Sequence, residues 1–171
     1  NGFRMLMQRA LPQEVVIKEE VFAKLVVEAS ERYQAMSLET TVPFPGTAQT
    51  LSELASRRIK IGVLSNKPDA LTKMLVNTLF PGIPFVAIEG DLPGKPRKPD
   101  PSRALEMLEK AAALPQESAF VGDSGVDMET ARNGKMLPLG ASWGYRSIEE
   151  LQEYGAQVIL AEPADILRYL D

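Results

Sequence analysis

The spacing of apolar positions changes near residue 43. Upstream they recur only at helical intervals. Phe3, Leu6, Met7 and Ala10 lie three or four residues apart until Pro12, which predicts one short helix. A longer helix is predicted from about Lys18 to Met36, with Val21, Phe22, Leu25, Val26 and Ala29 on its apolar face. Pro43-Phe44-Pro45-Gly46 then breaks the pattern and marks a boundary. Downstream, short continuous apolar runs alternate with helical stretches. Strands are predicted at 60–64, 85–88, 119–121, 136–139 and 158–160. Helices are predicted at 47–58, 69–79, 102–113, 124–133, 147–154 and 164–170. Pro101 suits entry into one of these helices, and Asn133-Gly134 suits the end of another.

Alternation of this kind implies a parallel sheet covered on both faces. The expected fold class is therefore α/β, a doubly wound parallel, Rossmann-like sheet. Residues 1–42 form an all-helical segment beside a core of residues 43–171.

Composition narrows the chemistry. The 171 residues contain neither Cys nor His. Thiolate nucleophiles, disulfides, thiolate metal sites and Ser-His-Asp triads are thereby excluded within them. Catalysis here must use carboxylates, Lys, Arg, Ser, Thr or Tyr, with a hard cation such as Mg²⁺ suiting the oxygen-rich inventory. The net charge is -4, without a basic stripe, which argues against nucleic acid as a partner. No apolar run approaches the ~20 residues that span a bilayer, and no signal peptide opens the sequence. A cytoplasmic protein acting away from membranes is the expectation.

Ligands of open parallel sheets bind beyond the carboxyl ends of the strands. The residues expected at those ends are Ser65-Asn66, a loop with Lys95 and Lys98, and Gly122-Asp123. A hydroxyl, an amide, lysines and acids on one rim suit a phosphate next to a cation. Asp123 and Asp127 are four apart, one at a strand end and one in the first turn of a helix, so both carboxylates can face one pocket. The same residues also suit a helix cap and a first-turn acid favoured by the helix dipole. Ser65-Asn66 likewise suits an ordinary turn, and Lys98 a solvated loop. Gly90-Asp91-Leu92-Pro93-Gly94-Lys95 is not a phosphate loop, because its glycine spacing is one short and proline removes N–H donors.

Taken in order, LSNK at 64–67, KPDP at 98–101 and GDSGVD at 122–127 resemble the second, third and fourth motifs of the haloacid dehalogenase superfamily. NGFRMLMQRALP at the start resembles the helical cap of its phosphoglycolate phosphatases. LPGKPRKPDP resembles the loop before their third motif, and GDSGVDMETARNGKM with SWGYRS resembles their final third. The resemblance covers nearly the whole chain. Gly134-Lys135 departs from the more usual Ala-Gly and alters only a surface turn.

The resemblance implies a helical cap at 1–42 on a Rossmann-like phosphatase core at 43–171, hydrolysing a small phosphorylated metabolite such as phosphoglycolate. Asp123 is the implied Mg²⁺ ligand. Lys98 is implied to offset charge, Asp127 to orient it or act through water, and Ser65 and Asn66 to hold the phosphoryl group. Arg4 or Arg9 is the candidate for a substrate carboxylate, although both also suit solvated helix positions. Superfamily members start with a strand ending in D-x-D, whose first Asp forms an aspartyl-phosphate. No D-x-D occurs here. The implied nucleophile lies upstream of Asn1, on a strand between those ending at Leu64 and Val121, and the 171 residues alone are expected to be inactive. The gap should be filled by residues outside the sequence or by another chain, or closed by direct pairing of the flanking strands. Other readings of the scaffold are a phosphomutase, a pyrophosphate or phosphonate hydrolase, or a phosphoryl-binding domain without turnover.

Overall fold

The computed structural model describes residues 3–12 and 16–169. Leu170, the last residue of a predicted helix, lies outside the described residues, as do the side chains of Phe3 and Leu6 on the predicted first helix. The chain divides into two compact units, Asn1–Val42 and Pro43–Asp171.

The first unit holds α1 (Phe3–Ala10) and α2 (Glu19–Thr40). Glu19 and Glu20 occupy the first turn of α2, where the helix dipole favours acids. Arg4 of α1 pairs with Glu19, and its guanidinium lies 4.9 Å from the Phe22 ring centre. Phe22 is buried as expected, but Val21 and Leu25 remain exposed. Two helices can shield only one narrow stripe of each other, so the apolar face read from the sequence is wider than the face covered within this unit.

The second unit runs α3 (Thr47–Ser56), β1 (Ile61–Pro68), α4 (Asp69–Leu79), β2 (Phe85–Asp91), α5 (Ser102–Ala111), β3 (Ala119–Gly122), α6 (Gly125–Asn133), β4 (Leu137–Ala141), α7 (Ile148–Glu153) and β5 (Val158–Leu160). Short 3₁₀ turns occupy Pro115–Glu117 and Pro163–Tyr169, the latter where an α-helix was expected. Every strand pairing is parallel. Ser147 caps α7, its hydroxyl accepting the Glu150 N–H at 3.2 Å.

The strands form two sheets, ordered β1-β2 and β3-β4-β5. Neither β1 nor β3 gains a second neighbour among the described residues. The gap expected between the strands ending at Leu64 and Val121 is thus neither filled nor closed by direct pairing. Both strands nonetheless pack on one core: Leu64 of β1 and Phe120 of β3 contact the buried cluster of Ala104, Ala131 and Met136. β4, flanked on both sides, contributes the fully buried Leu139, and Leu151 and Leu160 are buried beside it in the sequence order. Helix α6 is deeply seated, with Met128, Thr130 and Ala131 completely covered. No helix among the described residues is long and apolar enough to cross a membrane.

Candidate functional site

β1 is longer than the pattern predicts, but its ladder breaks at the expected place. Leu64 pairs with Glu89 and Pro68 with Asp91, so Ser65, Asn66 and Lys67 have no partner on β2. Such a local irregularity frees backbone and side-chain groups at a strand end. Ser65 Oγ accepts the Lys67 N–H at 3.1 Å, which leaves its own proton to donate. Asn66 turns to the loop of residues 92–101. Its Nδ2 donates to the Lys98 carbonyl at 3.1 Å, and its Oδ1 accepts the Lys98 N–H at 3.1 Å.

That loop joins β2 to α5 and is held at several points. At its base, Arg103 is buried and donates to the Gly90 carbonyl and to Glu89 Oε2, the latter at 3.0 Å. Lys110 meets the other Glu89 oxygen at 2.6 Å. Burial pushes the Glu89 carboxyl up, but Lys110 and Arg103 outweigh it and hold the group below its ordinary range. Asp91 pairs with Arg97 across the loop, and this bond raises the Arg97 guanidinium further above its ordinary value. Asn133 of α6 donates to the Pro99 carbonyl at 3.1 Å.

Lys98 Nζ reaches Asp127 Oδ1 at 2.6 Å, with the two side chains only 12% and 7% exposed. The ammonium also lies 5.7 Å from the centre of the Phe120 ring. The second oxygen of Asp127 accepts the Ser124 N–H at 3.1 Å and the Ser124 hydroxyl at 2.7 Å. The capping and the charge-pairing readings of Asp127 are therefore both realised: one oxygen closes the start of α6, the other meets Lys98. Asp123 stands just past β3, and its Oδ2 accepts the Tyr145 N–H at 3.0 Å.

Two glycines allow this packing. A Cβ on Gly122 would lie 2.1 Å from the Asp127 Cβ, and one on Gly144 would lie 2.1 Å from the Asp123 Cβ. Each aspartate rests flush against a glycine backbone. The first lies five positions before Asp127 and was expected at a strand end, but this contact was not read from the sequence. The second is separated from Asp123 by a helix and a strand and had no local signal.

Ser65, Asn66, Lys98, Asp127 and Asp123 are thus joined through adjacent residues and hydrogen bonds of the second unit. Arg4 lies in the first unit, engaged by Glu19 and Phe22, and Arg9 is exposed in the last turn of α1. The side-chain roles of Asn66, Arg103 and Asn133 were not read from the sequence. Each depends on a partner 13 to 34 positions away.

The donor set bears on a cation. Both oxygens of Asp127 are engaged by Lys98 and Ser124, leaving Asp123 as the carboxylate with an oxygen to offer. Among the described residues no three acidic side chains cluster closely enough to hold a metal by themselves. One carboxylate, with waters and substrate oxygens completing the shell, is a set that Mg²⁺ accepts.

A family model described as haloacid dehalogenase-like hydrolase matches residues 4–139. A phosphoglycolate phosphatase of Pseudomonas putida is 30% identical over 85% of this chain. The chain spans 54% of that relative's length, little more than half. The crystal structure of a predicted phosphoglycolate phosphatase from Haemophilus somnus 129PT superposes with a TM-score of 0.90 at 24% identity, over 100% of this chain and 78% of that one. A β-phosphoglucomutase from Clostridium difficile shares the fold at a TM-score of 0.73 and 20% identity, over 99% of this chain and 75% of its own.

Proposed function

Because the chain belongs to the haloacid dehalogenase-like hydrolase family, we propose that it acts as a Mg²⁺-dependent phosphatase on a small phosphomonoester, phosphoglycolate being the first to test. The observation that carries the proposal is the shielded Lys98–Asp127 pair, set between the Ser65-Asn66 strand end and Asp123. A phosphatase must bring an anionic nucleophile to an anionic phosphate. A fixed ammonium and a cation-binding carboxylate on one rim are what that encounter needs.

In this reading Ser65 donates its free proton to one phosphoryl oxygen, and the Asn66 N–H donates to another. Lys98 offsets the charge that gathers as the anions meet. Asp127 keeps the ammonium aimed. Mg²⁺ bound at Asp123 would supply further charge neutralisation at the phosphate oxygens. The attacking group is a carboxylate that forms an aspartyl-phosphate, later cleaved by water. None of the described strands carries a D-x-D, so that carboxylate belongs on a further strand. The unpartnered edges of β1 and β3 support this, since an additional parallel strand satisfies such edges. The helical unit Asn1–Val42 is assigned the choice of substrate in this reading.

The test is phosphate release by the full-length protein. Phosphoglycolate turnover should require Mg²⁺ and stop in excess EDTA. Asp123→Ala should cost at least ~100-fold in kcat, in line with the several kcal/mol a metal supplies. Full activity in EDTA would sink the metal role. The shared fold with a β-phosphoglucomutase keeps a second reading open to the same panel: isomerisation of a sugar phosphate without net phosphate release would select the mutase.

A further inference from the structure

We infer that the side chain of Asn66 is a positioning residue for Lys98, fixing the lysine's backbone so that its ammonium arrives where charge must be offset. The inference rests on the role given to Lys98 under the proposed function.

An ion pair fixes only the tip of a lysine. The Lys98 side chain is a flexible four-carbon stem with much rotamer freedom to lose, and it hangs from a loop between β2 and α5. Asp127 holds its Nζ. The root is held by Asn66, which satisfies both backbone groups of Lys98 at once, each at 3.1 Å. The carboxamide thus stands in for a backbone partner where the β1–β2 ladder has lapsed. Its orientation follows from its partners: a flipped amide would set N–H against N–H and oxygen against oxygen. Asp offers two acceptors and no donor, so it cannot make both bonds. Asn133 adds a third tie one residue on, at the Pro99 carbonyl. Residues 98 and 99 are therefore gripped from β1 on one side and α6 on the other.

A side chain committed in this way is not free to serve as a phosphate ligand in the first instance. Its loss should leave substrate binding nearly intact and misplace the ammonium. Displacements of about 1 Å at a reacting centre cost on the order of 100-fold in rate.

The experiment is a double-mutant cycle on the full-length protein, reading phosphate release from phosphoglycolate. Asn66→Ala should lower kcat by roughly 10- to 100-fold with KM changed by less than about 3-fold. In a Lys98→Ala background the same substitution should cost less than about 2-fold, since there is no ammonium left to position. A loss of equal size in both backgrounds would overturn the inference, because Asn66 would then act on substrate or fold by itself. Wild-type kcat in Asn66→Ala would overturn it as well. Wild-type turnover in Lys98→Ala is a different result, which removes the charge-offset role itself. Should Asn66→Ala lose its cooperative melt, the uncharged Asn66→Ser, which cannot span both backbone groups of Lys98, carries the same cycle, and its kcat loss must likewise shrink without Lys98.

Discussion

Gly122→Ala tests the packing on which the candidate site depends. Gly122 ends β3, and the first turn of α6 folds back over it. The added methyl would lie 2.1 Å from the Asp127 Cβ, 2.3 Å from its Cγ and 2.6 Å from Oδ2. Contacts that short do not persist, so either β3 or the first turn of α6 must move by about 1 Å or more. Retreat is costly for α6, because Met128, Thr130 and Ala131 behind Asp127 are completely buried. Overpacking alone costs about 1–3 kcal/mol. Loss of a shielded ion pair through displacement of one partner costs about 3–5 kcal/mol. A partial shift of Asp127 away from Lys98 therefore gives an expected destabilisation of about 3 kcal/mol, or ~6–12 °C in Tm for a chain of this size.

Thermal unfolding followed by circular dichroism measures the shift. Gly82→Ala is the comparison, since its Cβ meets nothing within 4 Å but its φ of 83° is strained for alanine, a cost of about 1–2 kcal/mol. Removing the Asp127 carboxylate should not rescue Gly122→Ala, because the shortest clash is with Cβ. A Gly122→Ala protein that melts within ~2 °C of wild type, or above Gly82→Ala, would refute the reasoning.

Two further outcomes follow from the network under the Lys98 loop. Arg103→Met strips Glu89 of one partner and leaves the Gly90 carbonyl without its donor, so urea unfolding should show a loss of about 2–4 kcal/mol; pairing it with Glu89→Met should restore part of that, and a double mutant worse than the sum would refute the ion-pair origin. Lys73 and the Gly90 N–H hold Asp69 below its ordinary 3.8, while Glu89, despite burial, is held below 4.5 by Lys110 and Arg103. Both folded values lie below the unfolded ones, so their stabilisation is present above about pH 4.5 and lost as the pH falls through the folded values. The urea midpoint should drop across that acid range, and Glu89→Gln should flatten the drop.

What the sequence made legible was what local pattern encodes. Strand identity came from the short apolar runs IGVL and AFV, and candidate chemistry from the residues just past them. The parallel architecture followed from alternation. Ser124 was legible as a candidate cap and Asp127 as a first-turn acid, whereas the close approach of Gly122 to Asp127 was not read. Features that depend on distant partners were not legible. Asn66 looks like a turn residue until Lys98, 32 positions on, is placed against it. Arg103 reads as a surface helix residue, because a buried arginine needs Glu89 and Gly90 to explain it. The extension of β1 through Pro68 was missed since its register shifts after Leu64, and a period-2 pattern cannot register an interruption in pairing. The exposure of Val21 and Leu25 was missed because periodicity identifies an apolar face without saying what covers it.

The joint that Lys98 makes at the rim gives the candidate site its logic. Beneath the rim, β1 and β3 are joined by apolar packing, Leu64 and Phe120 meeting on Ala104, Ala131 and Met136. At the rim the joint is polar and runs through one residue. The backbone of Lys98 is bonded to Asn66 of β1, and its ammonium is bonded to Asp127 of α6, which follows β3. The Phe120 ring of β3 lies near the same ammonium and belongs to both joints. A residue that ties two sheet fragments together cannot be moved by motion of either fragment alone. Its charge stays fixed at the rim, between the Ser65-Asn66 strand end and Asp123. That arrangement also explains why an ammonium is partly shielded here, although burial of a lysine is unfavourable. Asp127 answers its charge, Asn66 satisfies its backbone, and the aromatic face offers the remaining side a favourable surface. Lys98→Met should therefore loosen this joint between β1 and α6 as well as remove the charge. Amide hydrogen exchange at Leu64 and Val121 should quicken together in that variant, whereas a lysine serving chemistry alone would leave both unchanged.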